Sequence, residues 1–412
     1  MELRETAWAS LAGALQSIAP FGSFLILARL VSAEELGGYS LAVAVTVPVF
    51  LAARMQLRQA AVADPEGGSS FGSYRKLRLI SATVALAAVW LFAQTLHAQS
   101  CWIICAVALV RWSEEIGDIH YAPAQRASRW PRVAASQLLR LTGGLIVLPL
   151  GWRVAGLPAA LVAVALWQGI VTLWLDAPLA RALEPARHND VGATELLRLN
   201  WPLGVTAAIV SLISYTPRYA LAWSSGESVV GDYAALAQAA LFGNLVVQGA
   251  GQASLGKLGA AFVNDRDAFR RSVRLLLAFA GGVGIVALSA AVLWGDVLLG
   301  AVFHPRFAAL HAELVVMMIA SMFVYAASVF GYALTAAGVK AGQLGVFSAA
   351  LGVGLSSAIP LSATYGITGA VASTACSWAT AAVLSGRLLR AIGGDTRYEQ
   401  AEAGSTIRSR AV

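Results

Sequence analysis

Long apolar runs in this chain lack the polar face that a helix or strand of a soluble core would carry. The windows 79–96, 154–175, 275–295 and 341–362 contain no charged residue. Each is close to the ~20 residues a helix needs to cross a ~30 Å hydrocarbon core. A buried helix of a soluble protein imitates one such window, not a dozen in series. The pattern predicts spans near 8–28, 37–53, 79–97, 100–118, 133–151, 156–177, 200–223, 233–252, 275–295, 312–334, 341–360 and 365–386. The expected fold class is an all-α polytopic membrane protein of about twelve transmembrane helices. The longest polar stretches, about 54–78, 181–199 and the tail after Arg390, are too short to bury a core of their own.

Composition agrees with the pattern. Hydrophobic types make up 58% of 412 residues and charged types 12%, about half the share usual in soluble domains. Charge then adds an orientation. With both termini placed in the cytoplasm, 23 of the 29 Lys and Arg fall on inner connections, including Arg54, Arg58, Arg75, Lys76 and Arg78. Four fall outside (Arg29, Arg153, Arg218 and Arg306), and Arg111 and Arg140 lie within spans. This is the positive-inside asymmetry, and it accounts for the net charge of +7 without a nucleic-acid partner. Most of the inner basic cluster is expected to meet anionic lipid. Trp8, Trp102, Trp130, Trp152, Trp201, Trp223 and Trp294 sit near predicted span ends, where amphipathic rings favour the headgroup layer. No cleavage site is evident near the start, so the first span is expected to remain as an anchor.

The two halves repeat a pattern. Arg29, an acidic outer turn and Gly37-Gly38-Tyr39 are followed later by Arg218, Glu227 and Gly231-Asp232-Tyr233. Gly37 and Gly231 are 194 residues apart, nearly half the chain. An offset of six spans preserves orientation, so a true repeat would be parallel. The competing reading is that any outer turn favours glycine and tyrosine.

The chain also resembles the polysaccharide-export and O-antigen flippase families of the multidrug/oligosaccharidyl-lipid/polysaccharide exporter superfamily. The stretches that carry this resemblance are Leu27-Ala28-Arg29 with Glu34-Glu35-Leu36-Gly37-Gly38-Tyr39, then Gln56-Leu57-Arg58-Gln59 and Thr216-Pro217-Arg218-Tyr219. Gly231-Asp232-Tyr233-Ala234-Ala235-Leu236 and Gly251-Gln252-Ala253 extend it. The resemblance implies two six-helix bundles around a central cavity, here 1–190 and 191–412 with a short cytoplasmic tail. It implies export of a lipid-linked (undecaprenyl-diphosphate) oligosaccharide across a bacterial inner membrane, for lipopolysaccharide O-antigen, exopolysaccharide or another surface polysaccharide. The partners would be the bilayer, that substrate, and polysaccharide polymerase and chain-length machinery. Two alternatives stand beside it: a drug/cation antiporter of the same superfamily, and a membrane glycan polymerase or ligase. The latter resemble one another in having a large periplasmic loop, which this chain lacks near 296–311.

Charges within the bilayer are costly and usually face a bundle interior or a wet cavity. The substrate-binding candidates are Arg29, Arg58, Arg111, Arg140 and Arg218, since guanidinium offers phosphate a fixed fork of donors. Arg58, carried over from the resemblance, is the candidate for lining the inner mouth. Arg111, Glu115 and Asp118 share roughly one face of the fourth span, and Glu114 is three residues from Arg111. Arg140, on the antiparallel fifth span, is expected beside Glu114 and, less easily, Asp118. If transport is ion-coupled, Glu114 and Asp118 are the proton-exchanging candidates. The alternative is a structural ion pair between the fourth and fifth helices, and for Arg29 and Arg218 snorkelling to the outer headgroups. Pro20, Pro48 and Pro217 lie inside spans and are hinge candidates, or static kinks needed for packing.

Other chemistry is not called for. There is no P-loop, and Asp265-Arg266-Asp267 stands in a short connection without a nucleotide fold. Cys101 and Cys105, four residues apart with His97 preceding, read as buried thiols rather than a metal site, because a turn separates His97 from the cysteines. No cofactor, metal or catalytic residue is expected.

Overall fold

The computed structural model describes residues 2–63, 70–96, 98–184 and 192–392. The tail beyond Ile392, His97, Arg187 and His188 lie outside them. Every regular element among the described residues is helical. In chain order these are α1 (Glu2–Leu30), α2 (Ala33–Arg54), α3 (Leu57–Ala63), α4 (Phe71–Ala93), α5 (Ala98–Ile119) and α6 (Tyr121–Arg126). Next come α7 (Trp130–Val171), a π-helical turn at Thr172–Asp176, and α8 (Ala177–Leu183). The chain continues with α9 (Ala193–Ser225), α10 (Glu227–Asn264), α11 (Arg266–Val302), α12 (His311–Ala336) and α13 (Lys340–Ile392).

Nine of the described helices are long and apolar enough to cross a membrane, and their breaks recover the rest. The backbone of α7 leaves helical geometry at Ala155 and Gly156, and that of α13 at Gly366. Both glycines have positive φ, 78° and 57°, a conformation that a Cβ disfavours. Each long helix is therefore two membrane-length segments joined by a tight break. α5 is missed by the apolarity criterion because its second half carries Arg111, Glu114, Glu115 and Asp118. With α5 and the two divided helices the segments number twelve, as the hydropathy pattern predicts. Large apolar side chains face outward, with Val154 86% and Trp174 83% exposed. That outer surface suits lipid, whereas on a water-soluble monomer it would promote aggregation.

Two compact units divide the helices. The first comprises Met1–Ala235 with Leu299–Phe307; the second comprises Leu236–Leu298 with Ala308–Val412. In the first, α2 begins with a capping box: Ser32 Oγ accepts from Glu35 N–H, and Glu35 Oε2 accepts from Ser32 N–H, both at 3.2 Å. Two orphan donors of the helix start are thereby satisfied. α2 ends at Met55 and Gln56, both with positive φ (46° and 50°). This uncommon pair of left-handed non-glycine residues places Arg54 and Arg58 on either side of a sharp turn, and both reach carboxylates of α5.

Gly37 and Gly231 meet where α2 crosses α10. A Cβ on Gly231 would lie 3.1 Å from Gly37 N, and one on Gly37 would overlap the Glu227 carbonyl. Arg29 and Arg218 do not match in this way: Arg29 is in the last turn of α1, while Arg218 is buried within α9, well before its end.

The second unit is held by apolar packing and small residues. Leu258, Phe269, Val273, Tyr325 and Val329 form its core. Tyr325 Oη donates to the Ala240 carbonyl at 3.3 Å, and the ring lies where a Cβ on Gly243 would fall.

Candidate functional site

The strongest concentration of buried polar groups among the described residues lies in the first unit. α5 supplies most of it. Glu115 and Asp118 are buried, and three arginines converge on them. Arg54 Nη2 lies 2.5 Å and Arg78 Nη1 2.7 Å from Glu115; Arg58 Nη1 lies 2.9 Å from Asp118. Arg78 also approaches Asp118 at 3.6 Å, and its side chain is only 1% exposed. Gln16 of α1 donates to Asp118 at 3.5 Å. The expectation that most of the inner basic cluster meets lipid therefore needs correction for Arg54, Arg58 and Arg78. They turn inward because α5 offers carboxylates at a depth where an unpaired charge is costly.

Beside this network is a cavity of about 230 Å³, walled by α1, α2, α5, α6 and both segments of α7. Arg111 and Glu114 pair on its wall at 2.8 Å, one helical turn apart. Gln168 holds this pair's surroundings: its Oε1 accepts from Ser113 at 2.6 Å and its Nε2 reaches Glu114 at 3.5 Å. Tyr121 Oη shares a hydrogen bond with Ser136 at 3.0 Å. Burial pushes the Tyr121 phenol up to about 12, so it stays a hydroxyl at neutral pH.

Arg140 also lines the cavity, but its partner is not the expected one. Its Nη2 lies 2.6 Å from Asp176 Oδ2 and 2.6 Å from Thr172 Oγ1. Both acceptors belong to the π-helical turn, a feature often found at functional sites. The guanidinium rests on Gly117 of α5, where a Cβ would collide with it. Arg140 thus stands on the same cavity wall as Glu114 and Asp118, as expected, but the alternative of an ion pair between the fourth and fifth helices is corrected for it, since its partner is Asp176. Asp176, at the end of the predicted sixth span, was not singled out by the sequence. The available signal was complementarity, since 133–151 and 156–177 form an antiparallel hairpin with one base on the first arm and one acid on the second.

The remaining candidates lie elsewhere. Arg29 Nε donates to the Phe303 carbonyl at 2.9 Å, and its Nη2 donates to Ala301 and Val302 at 2.5 and 2.8 Å. It thereby caps the end of α11 and does not line the cavity. Phe21 and Phe24 pack edge-on against Phe303 beside it. Arg218 is buried, with its guanidinium 4.8 Å from the Tyr215 ring. Tyr39, on the cavity wall, is within electrostatic reach of both Arg111 and Arg218. Pro20 lines the cavity as well.

Pro48 has a different role. Lacking an N–H, it leaves the Ala44 carbonyl one turn earlier without its helical donor. Tyr219 Oη of α9 donates to that carbonyl. Pro48, Tyr219 and Leu212 line an apolar groove of about 600 Å³. Pro217 is buried inside α9. Cys101 and Cys105 are half-buried and Cys376 is exposed, so the buried-thiol reading is only partly met. Among the described residues no three His, Cys, Asp or Glu gather as a metal site.

The fold and the site define a multi-pass membrane protein whose polar interior is walled by spanning helices, an arrangement typical of transporters rather than of a structural anchor. No protein-family profile matches the chain. The chain is 21% identical over 319 residues to the capsular polysaccharide biosynthesis protein CapF of Staphylococcus aureus, covering 76% of this chain and 80% of that protein. Among solved structures it is similar to the lipid II flippase MurJ in an inward closed conformation, with TM-score 0.68 at 11% identity over 91% of this chain and 86% of that one. It is also similar to an outward-facing multidrug resistance MATE family transporter of the MOP superfamily, with TM-score 0.64 at 13% identity over 96% of each chain. These findings bear out the resemblance read from the sequence: the chain has the exporter and flippase fold of that superfamily.

Proposed function

We propose that the protein translocates a lipid-linked oligosaccharide across a bacterial inner membrane for surface polysaccharide synthesis. The observation that carries this reading is the similarity to a capsular polysaccharide biosynthesis protein along three quarters of the chain. A polar cavity among the spans supports it. In this reading both termini are cytoplasmic, and the six-span halves 1–190 and 191–412 alternate access to the two leaflets. Undecaprenyl diphosphate is the proposed carrier, and polymerase and chain-length proteins are the proposed partners. Glu114 is the favoured coupling carboxylate: it lines the cavity with one arginine partner, whereas Asp118 is held by Arg58 and Arg78.

Deleting the gene tests the proposal. Surface polysaccharide should fall and lipid-linked glycan should accumulate in the inner leaflet, with both changes reversed by the intact gene. Unchanged surface glycan without accumulation of the intermediate would sink the reading. A second reading, a drug/cation antiporter, is favoured by the likeness to a multidrug transporter and by Glu114 on the cavity wall. It predicts that the deletion strain retains more of a fluorescent lipophilic cation.

A further inference from the structure

The cavity's charges are already matched, and this decides what it is suited to hold. Arg54 pairs with Glu115, Arg111 with Glu114, and Arg140 with Asp176, each within 2.8 Å. A phosphate entering here would find no arginine without a carboxylate, and it would sit beside Glu114 and Asp118 on the same wall.

The groups left over are of another kind. Gln137 and Tyr39 are buried and line the cavity, yet neither the Gln137 amide nor the Tyr39 hydroxyl has a hydrogen-bond partner among the described residues. Glu114 keeps acceptor capacity beyond its arginine. The set thus offers an amide that both donates and accepts, a hydroxyl that does either and a carboxylate acceptor. Such groups are not left unsatisfied without cost inside a membrane protein. A volume of about 230 Å³ is below the ~300–1,000 Å³ of drug-sized sites. That size suits a single sugar ring better than a whole oligosaccharide.

We infer that this cavity is a subsite for one uncharged pyranose ring of the transported glycan. The inference rests on the glycan-export reading and deepens it. The diphosphate is held elsewhere, and the cavity selects the sugar. Gln137 and Tyr39 engage ring hydroxyls, Glu114 accepts from another, and Asp176 holds Arg140 in place as part of the wall.

Gly144 supplies a direct test. It lines the cavity, and a Cβ there would meet nothing within 4 Å. Gly144→Phe should therefore fill the space while the fold is retained, which size-exclusion profile and thermal midpoint would verify. The full chain in detergent would be titrated with methyl glycosides of neutral hexoses and N-acetylhexosamines, and separately with inorganic phosphate, by calorimetry. At least one glycoside should bind saturably, phosphate should not, and both G144F and Q137A should weaken the glycoside at least tenfold. Absence of saturable glycoside binding, binding indifferent to G144F, or saturable phosphate binding weakened by G144F would each overturn the inference. Export by the native gene is scored separately in cells. Intact export without glycoside binding removes the subsite and leaves the flippase reading standing; absent export removes the flippase reading.

Discussion

The interiors of the two units are built from different materials. The first buries Arg78, Glu115, Asp118, Asp176 and Arg218. The second, among its described residues, buries no charged side chain; its buried polar groups are serines and a threonine, such as Ser321, Ser373 and Ser377. Half of these hydroxyls return to their own helix, as Ser321 does to Met317, Thr374 to Ala370 and Ser377 to Ser373. In lipid, helix association depends on close packing and on interhelical polar bonds, because apolar burial offers little advantage over lipid contact. The second unit uses packing. The first adds ion pairs whose desolvation cost makes them poor choices for stability alone. The difference places the buried charges among the described residues in the first unit, and the proposed site with them.

The comparison breaks most visibly at α5. Glu115→Ala strands half-buried Arg54 without its carboxylate and leaves buried Arg78 only the more distant Asp118, at 3.6 Å. Removing one partner of a buried pair costs about 3–5 kcal/mol, so the variant should lose most monodisperse protein on detergent extraction. If Glu115→Ala purifies with an unchanged thermal midpoint, the network is not holding the first unit together. A smaller effect is expected where α9 meets α2. Tyr219→Phe leaves the Ala44 carbonyl unpaired, a loss of about 1–3 kcal/mol for a buried polar group. Pro48→Ala gives that carbonyl a helical donor again, so the double variant should regain much of the lost midpoint. A double variant no better than Tyr219→Phe would show that the phenol acts through something else. The least effect belongs to the second unit. Ser357 and Ser373 share a hydrogen bond of 2.9 Å, and such bonds in membrane proteins average about 0.6 kcal/mol. Ser373→Ala should leave the midpoint and export nearly unchanged; a large loss would mean that the second unit too depends on polar contacts.

The same contrast explains what the sequence discloses. Twelve segments are legible because each rests on an uninterrupted apolar run, and even α5, too charged for an apolarity criterion, is legible from its neighbours. That Arg111, Glu114, Asp118 and Arg140 turn to an interior cavity is legible because charge inside a span is rare and costly in lipid. Their pairing is not. Arg140 does reach the fourth helix, where it rests on Gly117, but its carboxylate partner is Asp176, because a π-helical turn presents that residue from the other arm of its own hairpin. Arg29 reads as an exposed cation at a span end, but it is held by backbone carbonyls some 270 residues away, and carbonyls leave no trace in a sequence. Gln137 is one amide among many until the fold buries it against a cavity.

The central claim is that this cavity in the first unit serves transport. Gly144→Phe in the chromosomal gene, with abundance checked by immunoblot and surface polysaccharide quantified, tests it most directly. The account predicts normal abundance with surface polysaccharide reduced at least tenfold and lipid-linked glycan accumulating inside. Normal abundance with native levels of surface polysaccharide would contradict it.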